Sequence, residues 1–407
     1  MKIALRQIEG RSPAYWLLLA GLLLVTAIGL AAAWTMEHHG HVITGMNNQI
    51  VWGLPHVFAV FLVVAASGAL NVASMASVFG KTAFKPLAPL SGLLAIALLA
   101  SGLAVLMLDL GRPDRLIVAM TYYNFKSIFA WNVILYSGFM GLVVAYLWTM
   151  MERRMNGWNK AAGLAVFAWR FILTTGTGLI FAFLTARQAY GSAILPPMFI
   201  VLSFAWGLAV FHLVQAVTYA WNERQHDPAI MERTKHLLGI FVIASLYLVT
   251  VYHLTNLYFA QQVGFVRFIL IEGGIYPTLF WLGYIVLGNL VPLCLIYWPG
   301  RKTNCVAASV LVIVGAFALL YVFIIGGQAY PLDIFPGFSA SSSFGDGQIA
   351  TYSPSIYELL LGLGGLASLR VLPQHEVQRV VLVILDGHAL TRAQLIHRFA
   401  TELAVAL

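Results

Sequence analysis

The stretch "IVWGLPHVFAVFLVVAASGALNV", Ile50–Val72, contains no Asp, Glu, Lys or Arg. Its apolar residues follow one another without polar alternation, and about 20 such residues cross the hydrocarbon core as a helix. Inside lipid every backbone amide must be bonded internally, so a span is either a helix or a strand of a closed barrel. A continuous apolar run selects the helix. Similar runs recur along the 407 residues, of which 60% are hydrophobic and 9% charged. The mean hydropathy is +0.85. Soluble chains are about a quarter charged, so this is an all-α, polytopic membrane bundle.

Working outward from Ile50–Val72, ten spans are expected at about 14–34, 51–79, 87–108, 128–150, 163–185, 196–221, 237–260, 276–298, 304–326 and 354–370. The start, "MKIALRQIEGRSPAYW", lacks a small-residue cleavage site and reads as an uncleaved first helix. One set of ends receives Lys2, Arg6, Arg11, Lys81, Lys85, Arg153, Arg154, Lys160, Arg224, Arg233, Lys235, Arg301 and Lys302. The other receives Arg112, Arg115, Lys126, Arg187 and Arg267. Positive charge marks the cytoplasmic side, so both termini are expected in the cytoplasm of a bacterial cytoplasmic membrane. Residues 1–370 form the bundle, and residues 371–407 read as a cytoplasmic tail. The net charge of +8 reflects these flanking loops rather than nucleic-acid binding.

Polar groups in or near a membrane are costly and tend to be functional. They gather at the expected outer face. Asn47, Asn48, Trp52 and His56 lead into the second span; Asp109 ends the third; Tyr122, Tyr123 and Asn124 precede the fourth; His253 closes the seventh; Glu272 precedes the eighth. Each has a plain structural alternative. Asp109 and Arg112 are spaced for a local ion pair, and His56 for a bond to a neighbouring helix. His38, His39 and His41 lack the Cys or fourth ligand of a zinc site and read as an outer loop. Cys294 and Cys305 have no CxxC spacing, cannot hold an iron–sulfur cluster and are not expected to form a disulfide. The functional alternative is a pocket for an amphipathic redox carrier such as a quinone. It needs an apolar slot, hydrogen-bonding groups at two ring oxygens and a proton route to water. A b-type haem between His56 and His253, which lie at similar depth, competes with it.

Taken together, several stretches resemble the NrfD/PsrC family of polysulfide-reductase-like membrane subunits. They are Ile50–Val72, "LDLGRPDRLIVAM" (Leu108–Met120), "NFKSIFAWNVILYSG" (Asn124–Gly138), "GSAILPPMFIVLSFAWGLA" (Gly191–Ala209) and "FWLGYIVLGNLVPLCL" (Phe280–Leu295). The likeness covers about residues 45–330, and "EHHGHVITGMNNQIVWGLPHVFAVF" is similar to the DsrP branch, the quinone-interacting subunits of DsrMKJOP sulfur-metabolism complexes. The segment "TARQAYG" departs from the family's frequent Arg–Pro–Leu–Trp.

The resemblance implies a subunit without its own cluster, docked at its outer face to a periplasmic ferredoxin-like iron–sulfur subunit, beside further subunits that include cytochromes. Such a subunit exchanges electrons with the menaquinone or ubiquinone pool, in some members alongside proton movement. Carried onto this sequence, the resemblance places quinone beside Asn47, Asn48, Trp52, His56, Tyr122, Tyr123 and Asn124, with Asp109 as a proton relay; the reading of the polar residues themselves adds His253 to the pocket and Glu272, Arg170 and His212 to the relay. The alternatives are a haem-binding subunit and a non-catalytic anchor.

Overall fold

The structure, a computed structural model, describes residues 13–221, 228–298, 303–332 and 347–369. The expected tail, 371–407, and Lys2, Arg6, Arg11, Arg224, Arg301 and Lys302 lie outside the described residues. Among those described, nine helices are long and apolar enough to cross a membrane: α1 Pro13–His39, α2 Leu54–Ser77, α3 Thr82–Leu108, α4 Ile128–Met151, α5 Arg153–Ala182, α6 Leu195–Ala220, α7 Pro228–Tyr258, α8 Ile275–Tyr297 and α9 Asn304–Ala329. The expected tenth span is a shorter helix, α10 Ile356–Leu369.

Two departures from the expected bounds have local causes. The first helix runs on to His39, so His38 and His39 belong to its last turn rather than to a loop. There Trp34 stacks on His38 at 5.2 Å, and His39 Nδ1 lies 3.1 Å from the Thr35 carbonyl. The start of α7 lies well before its apolar run, because Glu232 braces it through Lys235 (3.1 Å) and His236 (2.8 Å) one turn on.

The helices form two rings of four. In the first, α2 packs on α3, α3 on α4, α4 on α5, and α5 back on α2; in the second the same circuit joins α6, α7, α8 and α9. The rings meet along α2 and α6, so α2 is 94% buried in its most apolar window, whereas α1 is 17% buried and faces outward. Lipid tails are as apolar as leucine, so close backbone approach between small residues draws such helices together. At the α2–α6 seam Gly68 faces Ser203 and Gly207, and at the α8–α9 seam Gly288 faces Gly315.

The helix α2 is broken at Leu70. Buried backbone groups at the break are met by side chains from neighbouring helices. Ser91 Oγ donates to the Ala69 carbonyl (2.6 Å) and accepts from Ala73 N–H (3.1 Å), while Tyr146 donates to the Ala73 carbonyl (3.3 Å). One serine therefore bridges the gap that the break opens in the hydrogen-bond ladder.

A methyl added at Gly207 would run into the backbone of Gly68, Ala69 and Ala65, whereas one at Gly141 meets nothing within 4 Å. Gly207→Ala is expected to cost roughly 1–3 kcal/mol through overpacking. A thermal melt in detergent should show a lowered midpoint for Gly207→Ala and none for Gly141→Ala; equal midpoints would remove the seam from the account.

Candidate functional site

The loops 40–53, 109–127, 183–194 and 347–355 gather at one end of the bundle, here called the histidine end. The loop before α2 is built from side-chain bonds. Asn47 Oδ1 accepts from Gln49 N–H (3.0 Å) and Ile50 N–H (2.8 Å), closing a turn. Gln328, fully buried at the end of α9, accepts from Val51 N–H and Trp52 N–H (both 3.0 Å) and donates to the Trp52 carbonyl (3.0 Å). Arg187 clamps the same loop, donating to the carbonyls of Gln49 (2.8 Å) and Gln328 (3.1 Å). Burial pulls the Arg187 guanidinium below the ordinary arginine value, opposed by Tyr190. Arg187 is the arginine of "TARQAYG".

Glu358 closes the loop from the other side. It sits three residues after Ser355 in a capping box, accepting Ser355 N–H (2.7 Å) while its own N–H reaches Ser355 Oγ (3.3 Å). The same carboxylate accepts from Gly45 N–H (2.9 Å) and the Tyr352 hydroxyl (2.7 Å), and Tyr352 in turn accepts Leu54 N–H (2.7 Å). Burial, then the Glu358 contact, holds the Tyr352 phenol far above its usual value, so it remains a donor. Gly53 is required here, because a side chain would collide with Glu358 and Tyr352.

Held by this frame, His56 lies in the first turn of α2 and Asp109 caps the end of α3. Their Nδ1 and Oδ2 atoms are 2.8 Å apart, with Asp109 1% and His56 14% exposed. Neither atom, nor Asp109 Oδ1, has a hydrogen bond of ordinary geometry, so the pair is a close contact with bonding capacity left over. Trp52 stacks on the His56 ring at 6.0 Å and meets Phe129 and Phe181 edge-on. His41 rests against Gly111 with both ring nitrogens buried and unbonded. One rim thus carries two imidazoles and a carboxylate with unmet bonding groups beside an indole face.

The pairing expected between Asp109 and Arg112 does not form: Asp109 turns to His56, and Arg112 pairs at 3.5 Å with Asp114, a contact exposed on both sides. His41, read from the sequence as part of an outer loop, lies against Gly111 in the loop that follows Asp109. Nothing in its spacing from His56 marks it, since the contact arises through the chain folding back at Gly111.

The other candidates are dispersed. Asn47 is committed to its turn, and Asn48 is exposed. Tyr122 is 81% exposed, Tyr123 stacks on Phe125, and Asn124 bonds Lys126 N–H in a turn leading to Phe129. Glu272 pairs with Arg267 at 2.5 Å on the surface. His212 lies far down α6 beside Ser309 and Cys305, and Arg170 lies halfway along α5.

His253 belongs to the second ring, edge-on to Phe280 and Tyr252. It lines a cavity with room for about one water molecule, too small for a quinone ring. The aromatic row Phe181–Phe323–Tyr252 stands between Trp52 and His253. His56 and His253 therefore do not form the facing pair that a bridging haem requires.

Removing the Glu358 carboxylate would leave three donors without their acceptor, at roughly 1–3 kcal/mol for each one that stays buried. Glu358→Ala should lower the melting temperature and open the 40–53 loop to proteolysis. Wild-type resistance in both assays would show that the loop is held by other means.

The chain is similar over most of its length to several named proteins. The chain is 28% identical over 398 residues, 94% of its length and 100% of the relative, to the Hdr-like menaquinol oxidoreductase integral membrane subunit of Archaeoglobus fulgidus. It is 28% identical over 417 residues, 91% of its length and 94% of the relative, to a putative dimethyl sulfoxide reductase membrane subunit of Halobacterium salinarum. To a polysulfide reductase polypeptide of Wolinella succinogenes it is 22% identical over 309 residues, 70% of its length and 96% of the relative. The family described as "Polysulphide reductase, NrfD" matches residues 41–331, which takes in the His56–Asp109 rim, both rings and Gln328. The chain is therefore a multi-pass membrane protein of the NrfD family.

Proposed function

We propose that this protein is the quinone-reactive subunit of a membrane oxidoreductase complex. In this reading it oxidises menaquinol or ubiquinol at the His56–Asp109 rim, or reduces the quinone when flow reverses. The observation that carries the reading is the buried His56–Asp109 contact, with unused bonding capacity, set beside the face of Trp52. A quinol ring is planar and apolar with two hydroxyls. The indole offers a stacking surface, and His56 with either Asp109 or His41 offers partners for the two oxygens. The name of the Archaeoglobus relative, a menaquinol oxidoreductase, supports the substrate class.

Each quinol oxidised releases two protons and two electrons. His56 accepts a proton from a ring hydroxyl, and Asp109 stabilises the imidazolium and leads the proton to the 109–115 loop. The electrons leave to an iron–sulfur partner docked over the histidine end, which in this reading faces the periplasm, as in DsrMKJOP-like assemblies with their cytochromes. Apolar residues exposed on this rim, Ile117, Val118, Tyr122 and Phe125, would lie under that partner.

In the assembled complex, His56→Ala is expected to slow quinol-dependent electron transfer by about 10²-fold or more, the usual weight of a positioned acid–base group. Trp52→Ala should mainly raise the quinol KM. If the pair only anchors α2 to α3, His56→Ala will lower the melting temperature and leave turnover intact, and the site falls.

A further inference from the structure

Arg170 lies halfway along Asn159–Ala182, roughly 17 Å from either helix end. Apart from Lys85, Arg153, Arg154 and Lys160 near the starts of α3 and α5, it is the sole Asp, Glu, Lys or Arg within α2, α3, α4 and α5. It is 3% exposed, and among the described residues no carboxylate is paired with it. Its guanidinium is instead enclosed by three rings, Phe167, Phe171 and Phe204, at 4.9, 5.3 and 5.1 Å. It donates to Asn71 Oδ1 (2.9 Å) and to the Ser67 carbonyl (3.4 Å) at the break in α2, and its Nε has no partner.

Polar groups continue on both sides of it. Toward the histidine end come Thr174, which donates to Ser67 Oγ at 2.8 Å, then Thr177 and Asn132. Toward the opposite end come Ser91, Ser74 and Tyr146 around the broken ladder. A row of hydroxyls and amides thus crosses the first ring, with one cation in its middle.

We infer that Arg170 is the electrostatic barrier of this polar row, the group that keeps it from leaking protons across the membrane. A guanidinium stays protonated, so it cannot receive a proton and hand it on, and the relay role expected from the sequence does not suit it. It can repel one. A fixed positive charge in a narrow, low-dielectric passage raises the energy of any excess proton beside it. The aromatic enclosure fits this role, because ring faces make the buried cation tolerable without cancelling its charge. A carboxylate partner would stabilise it more and abolish the barrier. The alternative is that Arg170 only staples the α2 break, and this predicts no ion-specific effect.

The barrier is independent of the quinone site, and its test uses no redox chemistry. The purified full-length protein is reconstituted into vesicles enclosing a pH-sensitive dye, and the decay of an imposed pH gradient is followed with valinomycin present. Potassium leak is measured in parallel without the ionophore. Wild-type vesicles should be tight, and Arg170→Met should leak protons at least tenfold faster with potassium flux unchanged. Phe204→Glu, which keeps the arginine but places a carboxylate against it, should leak likewise, and it decides the question if Arg170→Met does not fold. Proton-tight vesicles from a folded variant, or a leak that admits potassium equally, would overturn the barrier.

Discussion

In hydrocarbon an unbonded amide has no water to turn to, and that constraint governs every place where this chain departs from a continuous helix. The break in α2 is tolerable because Ser91, Tyr146 and Arg170 reach its backbone from three other helices. The loop before α2 is tolerable because Gln328, Glu358 and Arg187 meet its amides and carbonyls. The rest of the architecture follows from these bonds. They bring the ends of α9 and α10 over the start of α2, and so place His56 where Asp109 can meet it.

The same bonds divide the polar residues into two kinds. Gln328, Glu358, Asn47 and Ser91 use their bonding capacity on backbone and have little left to offer a ligand. His41, His56 and Asp109 hold buried ring nitrogens and carboxylate oxygens with capacity unspent. That difference, more than residue type, separates a frame from a site, since either set would serve a quinone head by chemistry alone.

The helical bundle was legible because apolarity over about 20 residues is a local property, and nine of the ten expected spans overlap the long apolar helices found among the described residues. The candidate site was legible in part. His56, Trp52 and Asp109 stood out as polar or aromatic groups at span ends, and they come together. His253 stood at the same depth, but depth carries no information about which ring a helix joins. His41 was hidden among neighbouring histidines, and Gln328 looked like the start of a loop. Their roles come from contacts across 70 to nearly 300 residues of sequence, which no local pattern encodes. Glu358 went unread as well, although its Ser–x–x–Glu spacing is that of a capping box; nothing local marks its reach to Gly45.

The aromatic row Phe181–Phe323–Tyr252 bears on how changes in the two rings combine. Substitutions sum in their free-energy effects when they share no partner and interact when they do. His56 and His253 touch different neighbours on opposite sides of that row, so a double substitution should show almost no interaction energy. His56 and Asp109 should be strongly coupled. The two histidines thus sit in separate surroundings within a single fold, each with its own set of neighbours.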